Sequence, residues 1–316
     1  MILRFLCLLA LLVLVGCQAS SLPEGCPPAC IDVDLSGKDL REINLEQARL
    51  YEANLRNAVL TGAHLQNADL SGAVLFNARL EEANLTGAVL LSVDARQASL
   101  EKADLSSTDL TGALFDEANL SSAVFTGARI SGTRFANARL VGVNMDALSL
   151  TGLDLTAANI SNASFNGSDL RGSYLSGAVG RGSLFIRATL SGVLMNVANF
   201  SSSSFSNADL SGVSLYATVL TGTDFGSSNL SGSILVGADL SGANLRGADM
   251  SGAQLNAENF DESIVFDPIL DELNALTANA LRKDANVCGA FYDEYTIWPD
   301  DYDIPSCAVF EASDTE

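Results

Sequence analysis

Few side chains in this sequence are equipped for chemistry. The chain has six cysteines (Cys7, Cys17, Cys26, Cys30, Cys288 and Cys307), one histidine (His64) and one tryptophan (Trp298). Thiols can pair as disulfides, carry acyl chains or bind zinc. Zinc is the weaker reading, because no histidine lies near either outer cysteine pair and four ligands from opposite ends would have to meet. His64 has no second histidine or thiol beside it, so it builds neither a triad nor a metal site and reads as a solvated surface residue. Asp69, Asp109, Asp169, Asp209 and Asp249 recur at multiples of 20 residues. Such a column could hold divalent cations or imitate spaced phosphates, but Arg49 and Arg129 interrupt it. No catalytic constellation, metal site or cofactor is expected, and the chain does not read as an enzyme.

The charge balance narrows the partners. With 17 Lys+Arg against 38 Asp+Glu the formal net charge is −21, which lacks the basic face that phosphate binding needs, so no nucleic-acid partner is expected. Yet only 17% of residues are charged and 48% are hydrophobic, so this is no disordered acidic chain.

Two elements must position these residues. The first is an address. Residues Ile2 to Val15 are apolar apart from Arg4 and too short for a membrane span, which needs about 20 residues. They fit the apolar core of a signal peptide. The run ends Leu14-Val15-Gly16-Cys17, which resembles the lipobox of bacterial lipoproteins. That resemblance implies cleavage after residue 16, acylation of Cys17 and anchoring of the protein to a membrane by several acyl chains, where one would hold weakly. The rival reading is an ordinary cleaved signal with an incidental cysteine. Gln18, rather than Asp, after that cysteine implies the outer membrane over the inner one in a Gram-negative cell. With Cys7 removed and Cys17 acylated, four cysteines remain, an even number that suits an oxidising compartment.

The second element is a repeat. Counting every fifth residue from Leu35 to Val265 gives 47 centres, and only Ala95 and Gly180 among them are not large and apolar. Two residues before each centre sits a small residue: Ala48, Ala53, Ala58 and Ala63 early, Thr133, Ser168 and Val193 later. Between them lies Asp or Asn most often, and after the centre come pairs such as Ser71-Gly72 and Thr111-Gly112. Helices repeat at 3.6 residues, strands at 2 and heptads at 3.5, so none accounts for a strict five. Short units repeated without a slip call for a solenoid, in which each unit buries its core against the next.

The strings Ala53-Asn54-Leu55, Ala68-Asp69-Leu70 and Ala243-Asn244-Leu245 resemble the pentapeptide-repeat family over residues 31–265. The resemblance implies an all-β fold, a right-handed quadrilateral parallel β-helix with five residues per side and four sides per coil. The centre and the small residue before it point inward. A narrow tube has room for one bulky and one small side chain per side, and outward glycine eases the corners. The 47 repeats then make about 12 coils and a rod roughly 55 Å tall at about 4.8 Å per coil. Phe165, Phe185, Phe205 and Phe225 fall in one interior column, above Phe125 and Met145, and read as a stacked ladder. Leu148 and Leu153, near Gly152, break the small-residue rule, so the tube should adjust there.

One outward side differs from the rest. Val74, Phe76, Leu114, Tyr174, Leu194, Tyr216, Ile234 and Val236 all project from it, nearly continuously from Tyr174 to Val236. A contiguous apolar stripe marks a contact surface, so Tyr174, Leu194, Tyr216, Ile234 and Val236 are the candidate site for an unidentified protein partner. Incidental exposure is the bland alternative.

Both ends of such a rod need closing, since an open coil is an exposed sheet edge. Residues 17–30 form a linker and cap, with Cys26-Pro27-Pro28-Ala29-Cys30 as a tight loop. Residues 266–316 carry 12 acids and two bases and form the acidic C-terminal cap. Asp267-Pro268 reads as a helix start. Ile269, Leu270, Leu273, Leu276, Ala280 and Leu281 form one stripe of a helix over 268–283, with Arg282 and Lys283 in its last turn. That helix should cap the rod, or pair with its copy in a homodimer. Tyr292-Asp293-Glu294-Tyr295-Thr296-Ile297-Trp298-Pro299 resembles a closing segment of pentapeptide-repeat chains, though it continues Asp301-Tyr302-Asp303-Ile304 instead of Gly-Phe-Asp-Pro. Otherwise it is an irregular aromatic cap. Disulfides need Cα atoms within about 7 Å, and the rod keeps the two ends apart. The expected bridges are therefore Cys26–Cys30 and Cys288–Cys307.

Three functional readings follow, from different classes. The first is a non-enzymatic, lipid-anchored scaffold or interaction protein of the bacterial cell envelope. The second is a DNA mimic resembling gyrase-protecting pentapeptide-repeat proteins, favoured by the acidic charge and opposed by the export signal. The third, an enzyme, has no residues to speak for it.

Overall fold

The structure is a computed structural model and describes residues 22–23, 25–255, 290–292, 296–298, 304 and 306–310. Through residues 31–255 the same five-residue unit recurs 45 times, which is eleven full coils and one further side. The proposed repeats from 256 to 265 and the helix over 268–283 lie outside the described residues.

One side shows how the period of five arises. Ala53 N–H donates to Leu50 O at 3.0 Å, closing a four-residue turn around Tyr51 and Glu52. Glu52 has φ of 56°. A positive φ at the third turn position alone is the signature of a type II turn. The chain then runs straight for three residues before turning again. Glu52, Asn54 and Leu55 N–H donate to Ser71, Val33 and Val74 O at 2.9, 2.9 and 2.8 Å. Bridges join each residue to the one 20 positions on, such as Asn54 to Val74 and Val74 to Asp94, all parallel. Four sides of five therefore make one coil, and the coils stack to about 54 Å.

Every one of the 45 corners has a positive φ, yet only 21 carry glycine. Glycine alone is thus not what the corner requires. Asn, Ser, Glu and Gln fill most of the rest, with Val197 at φ 51° as the β-branched outlier. A side chain in this region costs about 1–2 kcal/mol, which the packed interior and the coil-to-coil hydrogen bonds offset.

The inward positions are buried from Ala48 upward, Leu148 excepted. The large centre residues from Leu45 to Leu255 are all at 0% exposure, with the small residues two before them buried beside them. The first coil departs from this. Val33 and Ile43 are half-buried and Lys38 is exposed, because no coil lies beneath to close the tube. The rod also begins earlier than residue 31. Cys30 occupies a centre position at 1% exposure, Ala29 bridges to Arg49, and Pro28 O accepts Arg49 N–H at 2.7 Å. The Cys26–Cys30 loop thus supplies a strand to the bottom edge.

The phenylalanine ladder is present. Phe165, Phe185, Phe205 and Phe225 stack with centroids 4.9, 4.8 and 5.4 Å apart. Phe115 and Phe135 form a second stack at 5.5 Å. The two small centres each lie one coil below a phenylalanine, Gly180 under Phe200 and Ala95 under Phe115. A Cβ built on Gly180 would fall 2.6 Å from Phe200 Cδ1. Phe200 leans into that space and packs edge-on to Phe185 and Phe205 at 5.8 and 5.6 Å. A missing side chain in one coil is filled from the next, which keeps the packed volume constant.

The adjustment near Gly152 falls on one side of one coil. The bridge series runs Asp109 to Arg129 and Ser149 to Asp169, without an Arg129–Ser149 step. Leu148 is only half-buried there, too large for the inner slot, whereas Leu153 is fully buried between Thr133 below and Ser173 above.

The top edge is closed by strands. Residues 290–292 and 296–298 lie over the last two described sides. Asp249 bridges to Phe291 and Gln254 to Ile297, and Thr296 Oγ1 donates to Met250 O at 2.9 Å. β1 (Phe291–Tyr292) pairs in parallel with β2 (Val309–Phe310), and Tyr292 meets Trp298 and Phe310 edge-on, each at 5.4 Å. Among the described residues of this tail, Phe291 and Ile297 therefore sit on the top edge, with Tyr292, Trp298 and Phe310 clustered beside them.

Candidate interaction faces

The outward residue before each centre explains the Asp/Asn preference. Its side-chain oxygen accepts the backbone N–H two residues on, where the corner leaves that donor without a coil partner. Asp69 Oδ1 accepts Ser71 N–H at 3.0 Å and Ser71 Oγ–H at 2.6 Å, and Asn84, Asp109, Asn119 and Asn229 repeat the pattern. This is the local side-chain-to-backbone bond that suits Asx residues to turns. Where arginine follows, it forks back on the same carboxylate. Arg171 Nη2 lies 2.7 Å from Asp169, and Arg41 and Arg96 do likewise with Asp39 and Asp94. The arginine hydrogen bond holds Asp39, Asp94 and Asp169 below the usual carboxylate range. At Asp224, burial pushes the pKa up, but bonds from Ser206, Gly226 and Asn244 outweigh it and leave it lowered.

The aspartate column is accordingly a set of turn braces. Stacked along it are Arg49, Asp69, Val89, Asp109, Arg129, Ser149, Asp169, Thr189, Asp209, Asn229 and Asp249. No two carboxylates are adjacent, so the column cannot jointly chelate an ion. Among the described residues no three His, Cys, Asp or Glu side chains converge as metal ligands. His64 is exposed between the backbones of Asn44 and Asn84.

Of the cysteines, Cys26 and Cys30 are joined by a disulfide with Cα atoms 4.8 Å apart. That bond excludes pairing of either with the far end. Cys307 is disulfide-bonded; Cys17 and Cys288, and with Cys288 the expected Cys288–Cys307 bridge, fall outside the described residues.

The apolar side divides in two. In its lower part Phe76 is not bare: Arg56 lies 4.7 Å over its ring and Arg96 6.0 Å, a cation–aromatic sandwich spanning three coils. The sequence reading missed these arginines, although their spacing of 20 on either side of Phe76 places them in its column. In the upper part Tyr174 is 51% exposed, while Leu194, Tyr216 and Ile234 are half-buried. Val236 is not surface at all, at 1%. It projects outside the tube by register, in the column of Tyr216 one coil below. Ser176, Asn196 and Ser214, also outside the tube, are buried to 3%, 0% and 4%. Asn196 Oδ1 accepts Ser214 Oγ–H at 2.6 Å and Tyr216 N–H at 3.1 Å.

The five-residue sides, the 20-residue coil and the inward Ala–Leu pairs coincide with a family pattern. The pentapeptide repeats model matches in eight overlapping copies, over residues 30–67, 39–77, 53–91, 73–112, 163–196, 183–222, 195–232 and 223–257, and a pentapeptide repeat region model matches 98–175. The chain belongs to the pentapeptide-repeat family. Its rod is the right-handed quadrilateral β-helix of that family. Among solved structures it is similar to HetL, a pentapeptide repeat protein involved in heterocyst differentiation regulation from the cyanobacterium Nostoc. Identity is 25% over 82% of this chain and 89% of that one, with a TM-score of 0.29. It is also similar to QnrB1, a plasmid-mediated fluoroquinolone resistance protein, at 19% identity over 57% of this chain and 88% of that one, with a TM-score of 0.27. A pentapeptide repeat protein of the Arabidopsis thaliana thylakoid lumen is 24% identical over 37% of this chain and 65% of that one, with a TM-score of 0.23. No curated protein matches the chain in sequence.

Proposed function

We propose that this pentapeptide-repeat protein is a non-enzymatic, lipid-anchored protein of the bacterial cell envelope, whose rod acts as a scaffold or protein-interaction surface. The observation that carries the anchoring is the apolar run Ile2 to Val15 closed by Leu14-Val15-Gly16-Cys17. The Cys26–Cys30 disulfide, nine residues beyond Cys17, supports an oxidising compartment. The rod's outward polar groups are spent on its own corners, which supports a passive surface over a reactive one. Fatty-acid labelling in cells tests the anchor. The wild-type chain should take the label and sediment with membranes, and Cys17→Ser should lose both properties. An unlabelled, periplasm-soluble wild-type chain would refute the proposal.

The DNA-mimic reading rests on the net charge of −21. The column that would imitate phosphates carries Arg49 and Arg129 and spaces its carboxylates at least two coils apart, which weighs against it. Inhibition of gyrase by the chain lacking residues 1–16 would restore it.

A further inference from the structure

We propose that the rod is jointed at the seam between residues 125–132 and 144–151, where Leu148 wedges two coils apart. The coil steps on either side of this seam are fully bonded over the same two sides. In the step below, Leu105, Ser107, Leu110 and Gly112 N–H donate upward and Val124 and Arg129 N–H donate downward, all within 3.3 Å. In the step above, Met145, Ala147, Leu150 and Gly152 N–H donate upward and Ser164 and Asp169 N–H downward, all within 3.1 Å. At the seam the equivalent N–H groups of Phe125, Gly127, Ile130, Gly132, Asn144 and Ser149 make no backbone hydrogen bond, and Leu148 N–H does not close its turn onto Met145 O. The other two sides of the same step stay shut. Phe135, Asn137, Leu140 and Gly142 N–H donate to Asp154, Thr156, Asn159 and Ser161 O at 2.7 to 3.0 Å.

The cause lies in one interior column. Its small positions read Ala88, Thr108, Ala128, Leu148, Ser168 and Ala188 from coil to coil, with a leucine where every neighbour is small. Leu148 stands on the strand between the two opened stretches. A side chain too large for its slot forces the backbone to shift, and here the coils part while Leu148 remains half-buried. Val124 still pairs in register with Asn144, whereas Arg129 has lost Ser149, so the gap is wider on the second side. The outward residues are laid open with it. Val124, Arg129, Asn144 and Ser149 are exposed, but Asp104, Asp109, Ser164 and Asp169, one coil away, are half-buried. A step open on two adjacent sides and bonded on the other two is a hinge, with residues 135–142 as its axis. Local opening takes the least free energy where backbone bonds are already unmade, so motion concentrates at this step. The rod is thus two stiff segments whose mutual angle can change, and a partner touching both would select one angle. The joint does not depend on the lipid anchor.

Hydrogen exchange on the full chain tests the unmade bonds. The amides of Phe125, Gly127, Ile130, Gly132, Asn144 and Ser149 should exchange at least about 100-fold faster than their counterparts one coil below. Equal protection would overturn the proposal. Leu148→Ala, which restores the residue usual in the column, should slow those six amides at least about tenfold, equivalent to about 1.4 kcal/mol in the opening equilibrium. Leu148→Ser, matching Ser168 one coil above, should act alike. Motion is read from spin labels on genetically encoded residues at Asn67 and Asn207, exposed corner positions on the opened face, about 34 Å apart at coil spacing. Their distance distribution should be broad in the otherwise native chain and should narrow with Leu148→Ala. Distributions of equal width would mean a fixed gap in place of a joint, and unchanged exchange in both Leu148 variants would mean that this side chain is not the wedge. Either result defeats the proposal.

Discussion

The lower coils, from Leu45 to Leu105, and the upper coils, from Thr108 to Leu255, fill one square cross-section in two ways. Below, leucine and alanine alternate almost without exception, with Ala95 and Val93 as the departures. Above, Phe115, Phe125, Phe135, Phe165, Phe185, Phe200, Phe205 and Phe225 take eight of the centres, and Ser or Thr often takes the small positions. Those hydroxyls are spent on backbone carbonyls. Thr133 donates to Leu110 O, Thr218 to Met195 O and Thr223 to Phe200 O, each at 2.8 to 2.9 Å. The lower coils are therefore uniform and interchangeable. The upper ones depend on which residue lies 20 positions away. The backbone tolerates both because a solenoid needs only that each coil match its neighbours.

If that distinction is right, truncation should hurt most where rings interlock. Phe185→Ala removes a ring held by Phe165, Phe205 and Phe200, and should cost about 3–5 kcal/mol. Leu65→Ala, amid leucines that can settle inward, should fall toward the lower end of about 2–5 kcal/mol. Chemical denaturation of both variants decides it, and equal losses would erase the contrast.

Coupling between coils gives a finer measure. Gly180→Ala drives a methyl into the Phe200 ring and should cost about 1–3 kcal/mol by overpacking. Adding Phe200→Leu should recover part of that loss, so a double-mutant cycle should show an interaction energy above about 0.5 kcal/mol. Strict additivity would mean that the ring does not fill the glycine's space.

Not every upper hydroxyl has found a carbonyl. The Oγ atoms of Ser228 and Ser233 are buried without a hydrogen-bond partner. Ser233→Ala, which imports the lower coils' residue, should stabilise the rod by about 1 kcal/mol. Thr223→Ala should destabilise it by a similar amount, since its bond is made. The two variants should shift the melting temperature in opposite directions.

Acid should distinguish the halves least. Asp94 below and Asp169 and Asp224 above all have lowered pKa values. A depressed carboxylate contributes stability that is full above the ordinary carboxylate range and is lost as pH falls through that range to its own lower value. These groups keep partial contact with water, so each contributes under about 1 kcal/mol. Hydrogen exchange at pH 7 and pH 3, followed coil by coil, should show a modest loss in both halves alike.

The sequence alone determined the period and the inward pair, because each is a relation among residues at most five apart. The polar corner residues also show that the five-residue turn, rather than glycine, sets the backbone. Relations across 20 residues were only partly legible. The phenylalanine ladder could be read, since identical residues mark a column. Phe200 filling Gly180 could not, because the partner's lean depends on the void beside it. The ends and the outer faces were decided by tertiary structure. Cys30 reads as a linker residue but fills a core position once Ala29 bridges to Arg49 and Leu50 lies one coil above it. The segment after Ala290 pairs with the last coil because an open edge offers unmade backbone hydrogen bonds. Val236 points outward by register and is nonetheless buried. Register fixes the direction of a side chain; what meets it there depends on chain that is distant in sequence.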